Sequence, residues 1–176
     1  MPADSLEMLV WYWAGEYFYE VQDYNEGLRC ATRALPLTYR AGDLMLQSDC
    51  ERLVGLFHFR MSDYVQAIEH TRKCLAIDRQ RGDRSRISSS LNMLAAICLV
   101  AKQLDDGERY ILEAIRYSTA AGDSNRMAIQ YGMASEIYHA MGKAQRALDY
   151  ARRAYEIDEA CGNTAKVGIR LSQMAT

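Results

Sequence analysis

A glycine returns every 40 residues along this 176-residue chain, at Gly42, Gly82, Gly122 and Gly162. The residue after it is Asp43, Asp83, Asp123 or Asn163. Four marks in one register are an internal repeat, and periods of about 20–50 residues belong to repeat arrays, not to single compact globules. Stacked in rows of 40, small residues fall into columns: Gly15, Gly55, Ala95, Ser135; Gly27, Ala67, Gly107, Ala147; and Ala34, Cys74, Ala114, Ala154. Large apolar residues fall in others, at Tyr17, Phe57, Ile97, Ile137 and at Val21, Met61, Ala101, Met141. Two helices approach to roughly 8–9 Å only where side chains are small. Glycine inside a helix costs about 1 kcal/mol relative to alanine. Gly15, Gly27, Gly55 and Gly107 therefore read as points of close helix contact.

Each row reads as two helices. In the second, Leu53, Val54, Phe57 and Met61 have helical spacing, and Ser62-Asp63 interrupts it. A second set, Tyr64, Ala67, Ile68, Cys74, Leu75 and Ile77, runs on to Gly82. Gly82 suits the left-handed residue that closes a helix, and Asp83 suits an N-cap. Asp63 followed by Gln66 has the spacing of a capping box. Short turns leave about 17 residues per helix, roughly 25 Å at 1.5 Å rise. No segment alternates with the period of a strand. The expectation is an all-α chain of nine helices, broken near residues 22, 42, 62, 82, 102, 122, 142 and 162. It is one repeat domain over 1–176, with rows at 2–41, 42–81, 82–121 and 122–161. The remainder, 162–176, supplies one helix, either a terminal cap or the start of a further repeat.

Composition removes several function classes. The formal net charge of −2 favours neither nucleic acid nor an anionic membrane. The start, Met1 to Glu7, lacks the basic region of a secretory signal. The longest apolar run, Met93 to Ala101, is about half of what a membrane span needs. Five cysteines with no C-x-x-C pair read as reduced core thiols of a cytoplasmic protein. Chemistry is equally absent. Of the three histidines, His58 falls in a packing column, His70 beside Glu69 reads as solvated, and none has metal-ligand spacing. Ser88-Ser89-Ser90 lacks a nucleophile elbow, and no glycine-rich phosphate loop occurs. The expectation is no enzyme, no metal and no cofactor. The arginines alternate with acids, as on a solvated, salt-bridged face.

The pattern resembles the tetratricopeptide repeat. Its first helix carries an aromatic or large residue, then Leu-Gly, then Tyr, and its second carries Tyr, Ala, an aromatic and then Ala-Leu. Row one offers Trp11, Ala14-Gly15, Phe18, Tyr24, Gly27 and Ala34-Leu35, with Pro36 close behind. Row two offers Val54-Gly55, Tyr64, Ala67 and Cys74-Leu75; row four offers Tyr131, Tyr138, Ala147 and Ala154-Tyr155. The period of 40 exceeds the family's usual value of about 34 and is similar to the extended subclass. That subclass occurs in kinesin light chains and in sensor segments of bacterial regulators.

The resemblance implies a right-handed superhelical solenoid of about four helix pairs plus a terminal helix. It implies that first helices line a concave groove that holds a protein or peptide segment, with no direct contact to nucleic acid or membrane. Carried over by column, the groove takes Tyr12, Glu16 and Tyr19 from row one and Arg52, Leu56, Phe59 and Arg60 from row two. Asn92, Met93 and Leu99 follow from row three, and Glu136 and His139 from row four. Phe59, Met93 and Leu99 either form an apolar peptide site or pack on neighbouring first helices or on a second copy. The family's carboxylate clamp is incomplete, since Ser89 and Met93 occupy clamp columns. Two functions follow: a free-standing peptide-binding scaffold, or a sensor segment of a larger transcription regulator or signalling protein whose output domain lies elsewhere. The last helix carries Val167, Ile169, Leu171 and Met174 without a pairing helix, which points to a homodimer through the C-terminal helix or to a further helix that covers it.

Overall fold

The computed structural model describes residues 3–174. These residues form nine α-helices and no strand. In order they are α1 (Ala3–Glu20), α2 (Tyr24–Ala41), α3 (Leu44–Arg60), α4 (Tyr64–Arg81), α5 (Arg84–Val100), α6 (Leu104–Ala121), α7 (Ser124–Ala140), α8 (Ala144–Ala160) and α9 (Thr164–Met174). The breaks fall where the 40-residue register puts them. Pro2 and the last two residues of the expected terminal segment lie outside the described residues.

The turns follow from capping chemistry. Asp23, Asp43, Asp63 and Asp123 each accept a hydrogen bond from a backbone N–H in the first turn of the next helix. A side-chain oxygen there satisfies a donor that the helix cannot. Gly42, Gly82 and Gly122 close α2, α4 and α6 in the left-handed region, with φ of 69°, 69° and 67°. The turns inside each pair need the same conformation, yet three of them use a residue that resists it. Gln22, Ser62 and Lys102 have φ of 62°, 63° and 61°, and only the fourth turn has a glycine, Gly142.

The helices divide into two compact units, α1–α4 and α5–α9. In the first, consecutive helices pack on each other, and α1 also touches α3. Its core joins Tyr12, Ala31, Ala34, Cys50, Leu53, Val54 and Phe57. The small-residue columns act as expected. Gly15 faces Ala31 and Leu53, and a Cβ built on Gly27 would fall within the Phe57 ring. In the second unit consecutive helices also pack in order, while α5 touches α7 and α7 touches α9. Leu91, Leu94, Ile97, Ile111, Ala114 and Ile137 are fully buried there. Two columns depart from the expectation: Phe57, Ile97 and Ile137 are buried but Tyr17 is 62% exposed, and Val21 and Met61 of the other column are exposed. Among the described residues no helix covers that face of α1.

Inside each unit the helices also share buried polar contacts. In the first unit the Gln47 amide donates to the Thr38 carbonyl at 3.1 Å, and the Ser48 hydroxyl donates to buried Asp78 at 2.6 Å. In the second, Gln130 accepts from Ser118 at 2.6 Å and donates to Ser88 at 2.7 Å. One period later Arg170 stands where Gln130 stood. Its Nε donates to fully buried Asp158 at 3.0 Å, and its Nη2 donates to the Ala128 carbonyl at 3.0 Å. The guanidinium lies against Gly132, where a Cβ would collide with it.

Candidate functional site

In the first unit the groove residues are carried by α1 and α3. Tyr12 is buried, its ring in the core and its hydroxyl donating to Glu16 at 3.0 Å. Arg52 donates to the same Glu16 oxygen at 3.1 Å and lies 4.0 Å from Asp49. Burial first, and the Glu16 carboxylate second, push the Tyr12 phenol well above its ordinary value. It stays a neutral donor. Further along, Arg60 places two nitrogens on the Tyr19 hydroxyl, at 3.2 and 2.9 Å, with its guanidinium over the Tyr19 ring. Tyr19 itself meets the edge of Phe57. Leu56 and Phe59 are half-buried, and Phe59 leans towards Tyr64. This face is aromatic and aliphatic, with Arg52 held by Glu16 and Arg60 by the Tyr19 hydroxyl.

Beside it lies a cluster that the sequence reading missed. His70, expected to be solvated, has only 14% of its side chain exposed. It shares a 2.7 Å hydrogen bond with buried Glu51, and its ring stacks on His58 at 5.6 Å. Tyr39 also donates to Glu51, at 2.8 Å, and His58 in turn pairs with Asp63 at 3.2 Å. Burial first, then the neighbouring His70, lowers the His58 pKa against the opposing pull of Asp63. The correction has a simple cause. Glu51 on α3 is buried, and a buried carboxylate draws in whatever donors the adjoining helices offer.

In the second unit the equivalent face lies on α5 and α7. A hollow of about 330 Å³ is lined by Ser89, Asn92, Asp123, Asn125, Arg126, Ile129 and Gln130. Arg126 bridges the two helices. It donates to the Ser85 carbonyl and the Ser89 hydroxyl, both at 2.6 Å, and to the Ser85 hydroxyl and Asp123. The Asn92 side-chain oxygen is buried and has no hydrogen-bond partner. A buried acceptor in that state costs about 1–3 kcal/mol. Ile129, 45% exposed, supplies an apolar wall. Met93 and Leu99 are half-buried; Glu136 is exposed and accepts from Gln173 at 2.8 Å; His139 is exposed.

The structure thus gathers Asn92 with residues not expected at the site: Ser89, Asn125, Arg126 and Ile129. The signal was present in the helical period. Ser85 and Ser89 precede Asn92 by seven and three residues on one helix face, and Asn125 and Ile129 occupy the same columns one repeat later. Among the described residues no group of three or more His, Cys, Asp or Glu side chains could hold a metal ion. Among the described residues no helix is long and apolar enough to cross a membrane.

These features define a helical-repeat scaffold whose first helices carry an aromatic and aliphatic face in the first unit and an amide-lined hollow in the second. Residues 86–160 match the family model described as the tetratricopeptide repeat. Across the described residues the helix pairs have the tetratricopeptide-repeat fold. Solved structures with the same fold cover nearly all of the chain. A signal transduction ATPase with numerous domains and a tetratricopeptide repeat sensor, from Pyrococcus horikoshii, superposes with a TM-score of 0.90 at 16% identity, over 98% of this chain and 27% of its own. The Rap conjugation gene regulator of plasmid pLS20, in complex with the Phr* peptide, gives 0.71 at 14%, over 85% of this chain and 42% of its own. A kinesin-light-chain-type protein of Podosopora anserina with nearly identical TPR-like repeats gives 0.74 at 10%, over 99% and 96%. At such identities the likeness is one of fold. The chain spans about a quarter of the first of these proteins and under half of the second. No curated protein sequence matches this one significantly.

Proposed function

We propose that this chain is a non-enzymatic scaffold that binds an extended peptide or protein segment on its first helices. The observation that carries this reading is the hollow of about 330 Å³ between α5 and α7, which combines the amide side chains of Asn92 and Asn125 with exposed Ile129. Amide side chains in such a hollow suit the backbone of an extended segment, and exposed Ile129 gives an apolar contact. Phe59, Tyr19 and Leu99 are the apolar anchors; Arg52, Arg60 and Glu136 set register, since charges tune encounter and orientation more than affinity. The Rap regulator was solved with a peptide, which supports the same use of the same fold.

A second reading has its own support. The Pyrococcus protein carries its repeats as a sensor within a chain of which this one covers 27%. On that reading these repeats are the sensing segment of a larger signalling or transcription regulator. In either case the reading places the protein in the cytoplasm, with reduced thiols and no direct contact to nucleic acid. It also includes self-association through α9, where Ile169 and Leu171 stay exposed.

The test is selection of linear peptides from a random phage library on the 176-residue chain, with calorimetry on the strongest binder. Phe59→Ala and Asn92→Leu should each weaken binding at least tenfold, as truncation of a desolvated contact does. Arg153→Ala, on α8, should leave it unchanged. Loss of binding with Arg153→Ala, and none with the other two, would place the partner on the second helices instead.

A further inference from the structure

A hollow of about 350 Å³ opens between the first residue of α5 and the last turns of α6, lined by Arg84, Arg116, Tyr117 and Ala120. Both arginines are exposed, and Tyr117 is half-buried. No acid lines the hollow, and among the described residues no carboxylate pairs with either guanidinium. That sets the two apart from Arg29, Arg52, Arg109 and Arg126, each of which has a carboxylate within 4.0 Å. Glu113, one turn before Arg116, stays outside the lining.

The repeat supplies its own comparison. One period earlier the same columns hold Leu44, Ala76, Ile77 and Gln80, with no charge. One period later they hold Ser124, Glu156, Ile157 and Ala160, with one acid. The helix pair therefore forms without cations at these positions. Arg84 also opens α5, and a cation in the first turn opposes the helix macrodipole. Two like charges in one hollow repel each other besides. An anion seated between them relieves both penalties.

The cations indicate which anion. Guanidinium forks pair with carboxylate or phosphate two oxygens at a time, so a single carboxylate occupies one fork. A phosphate monoester carries about −1.5 to −2 charges at pH 7 and three terminal oxygens, enough to engage both forks. Tyr117 adds a hydroxyl donor. The hollow falls in the volume range of small-ligand sites, about 300–1,000 Å³, and the Tyr117 ring and Ala120 give it an apolar wall. We infer that Arg84, Arg116 and Tyr117 form a site for a small phosphate monoester. The phosphate sits on the two guanidiniums and its organic body lies against Tyr117 and Ala120. The site shares no lining residue with the hollow between α5 and α7 and goes beyond peptide binding.

Titration of the 176-residue chain with phenyl phosphate, followed by calorimetry and by amide shifts in two-dimensional NMR, provides the test. Binding should saturate with a Kd on the order of 1 mM, as for a ligand of few atoms. The shifts should centre on Arg84, Tyr117 and Ala120. Arg84→Gln and Arg116→Gln alter exposed side chains, and helical circular dichroism verifies that each variant is folded. Each should weaken binding by about fivefold or more, as loss of a charge-assisted hydrogen bond does. Arg152→Gln removes the same charge from an exposed position on α8 and should leave binding unchanged. Phenyl sulfate, a monoanion of similar shape, and inorganic phosphate, which has no organic body, should both bind more weakly. Failure to saturate by about 20 mM, shifts centred elsewhere, or a double variant that binds like the parent would overturn the site. Equal loss with Arg152→Gln would overturn it too, as a general effect of charge. Phenyl sulfate bound as tightly as phenyl phosphate would overturn the preference for a dianion. Inorganic phosphate bound as tightly would overturn the role of the organic body and leave free phosphate as the ligand. None of these outcomes bears on peptide binding between α5 and α7.

Discussion

Removal of the Arg170 guanidinium is the sharpest test of how the second unit is held together. Arg170→Leu keeps much of the volume but deletes three donors. Asp158, fully buried, would retain only a 3.4 Å hydrogen bond from Asn163. Breaking a buried ion pair by removing one partner costs about 3–5 kcal/mol, since the other charge stays buried. The Ala128 carbonyl loses its donor as well, adding about 1 kcal/mol. Against this, Leu fits beside Gly132 and regains some apolar contact, so the net loss should be about 3 kcal/mol. Helix α9 is only 11 residues long and is the element held by this contact. The loss should therefore appear first as undocking of α9. Hydrogen exchange should show α9 amides losing protection while those of α5–α7 retain it, and urea unfolding should shift to a lower midpoint. Asp158→Leu in the same chain should recover most of the loss, because a well-packed apolar pair often equals a buried ion pair. A single variant within about 0.5 kcal/mol of the parent would refute the reasoning. So would a double variant no better than Arg170→Leu.

Four further outcomes are expected. Lys102→Gly should stabilise by about 1 kcal/mol in chemical denaturation, because a left-handed residue with a Cβ costs about 1–2 kcal/mol and glycine gives part of that back as chain entropy; a lowered midpoint would contradict it. Ala114→Leu, at a fully buried small-residue contact, should destabilise by about 1–3 kcal/mol, whereas exposed Arg116→Ala should change stability by about 0.5 kcal/mol or less. A thiol reagent should label one cysteine rapidly in the native protein, Cys161, which is exposed, while burial pushes the Cys50 thiol up to about 12 and shields it. The lowered pKa of His58 means that the unfolded chain binds its proton first, so stability should fall as pH drops below the ordinary imidazole value of 6.5, and His58→Gln should flatten that part of the profile.

The glycines of the 40-residue register placed the breaks between helix pairs, because a cap is local chemistry decided by one residue's φ or one side-chain oxygen; the turns within pairs followed from the register alone, since Gln103 and Lys143 supply no side-chain cap. The small-residue columns were legible for the same reason, as a Cβ either fits beside a neighbouring helix or does not. Partners contributed by two or three helices were not legible. Nothing adjacent to His70 in sequence announces Glu51 or the His58 ring. Arg126 reads as another surface arginine until α5 brings Ser85 and Ser89 beneath it. Asn92 was selected by its column, but its unpaired oxygen depends on what α7 fails to provide. Tyr17 misled for a different reason. A column predicts burial only where a preceding helix lies over it.

The buried polar contacts at the junctions have a consequence for how such a chain can change length. If every junction were apolar and alike, one period could be lost or copied and the remaining helices would still mate. Here the seams inside the two units have different keys. Removing residues 124–163 would bring α9 directly after α6 and set Arg170 against Ser118 and Ser88 in place of Asp158 and the Ala128 carbonyl. A guanidinium would then be enclosed with two hydroxyls and no acid. A viable duplication or loss of a period must carry both halves of a key together, so the order of the modules along this chain is a heritable property of its interior as well as of its surface.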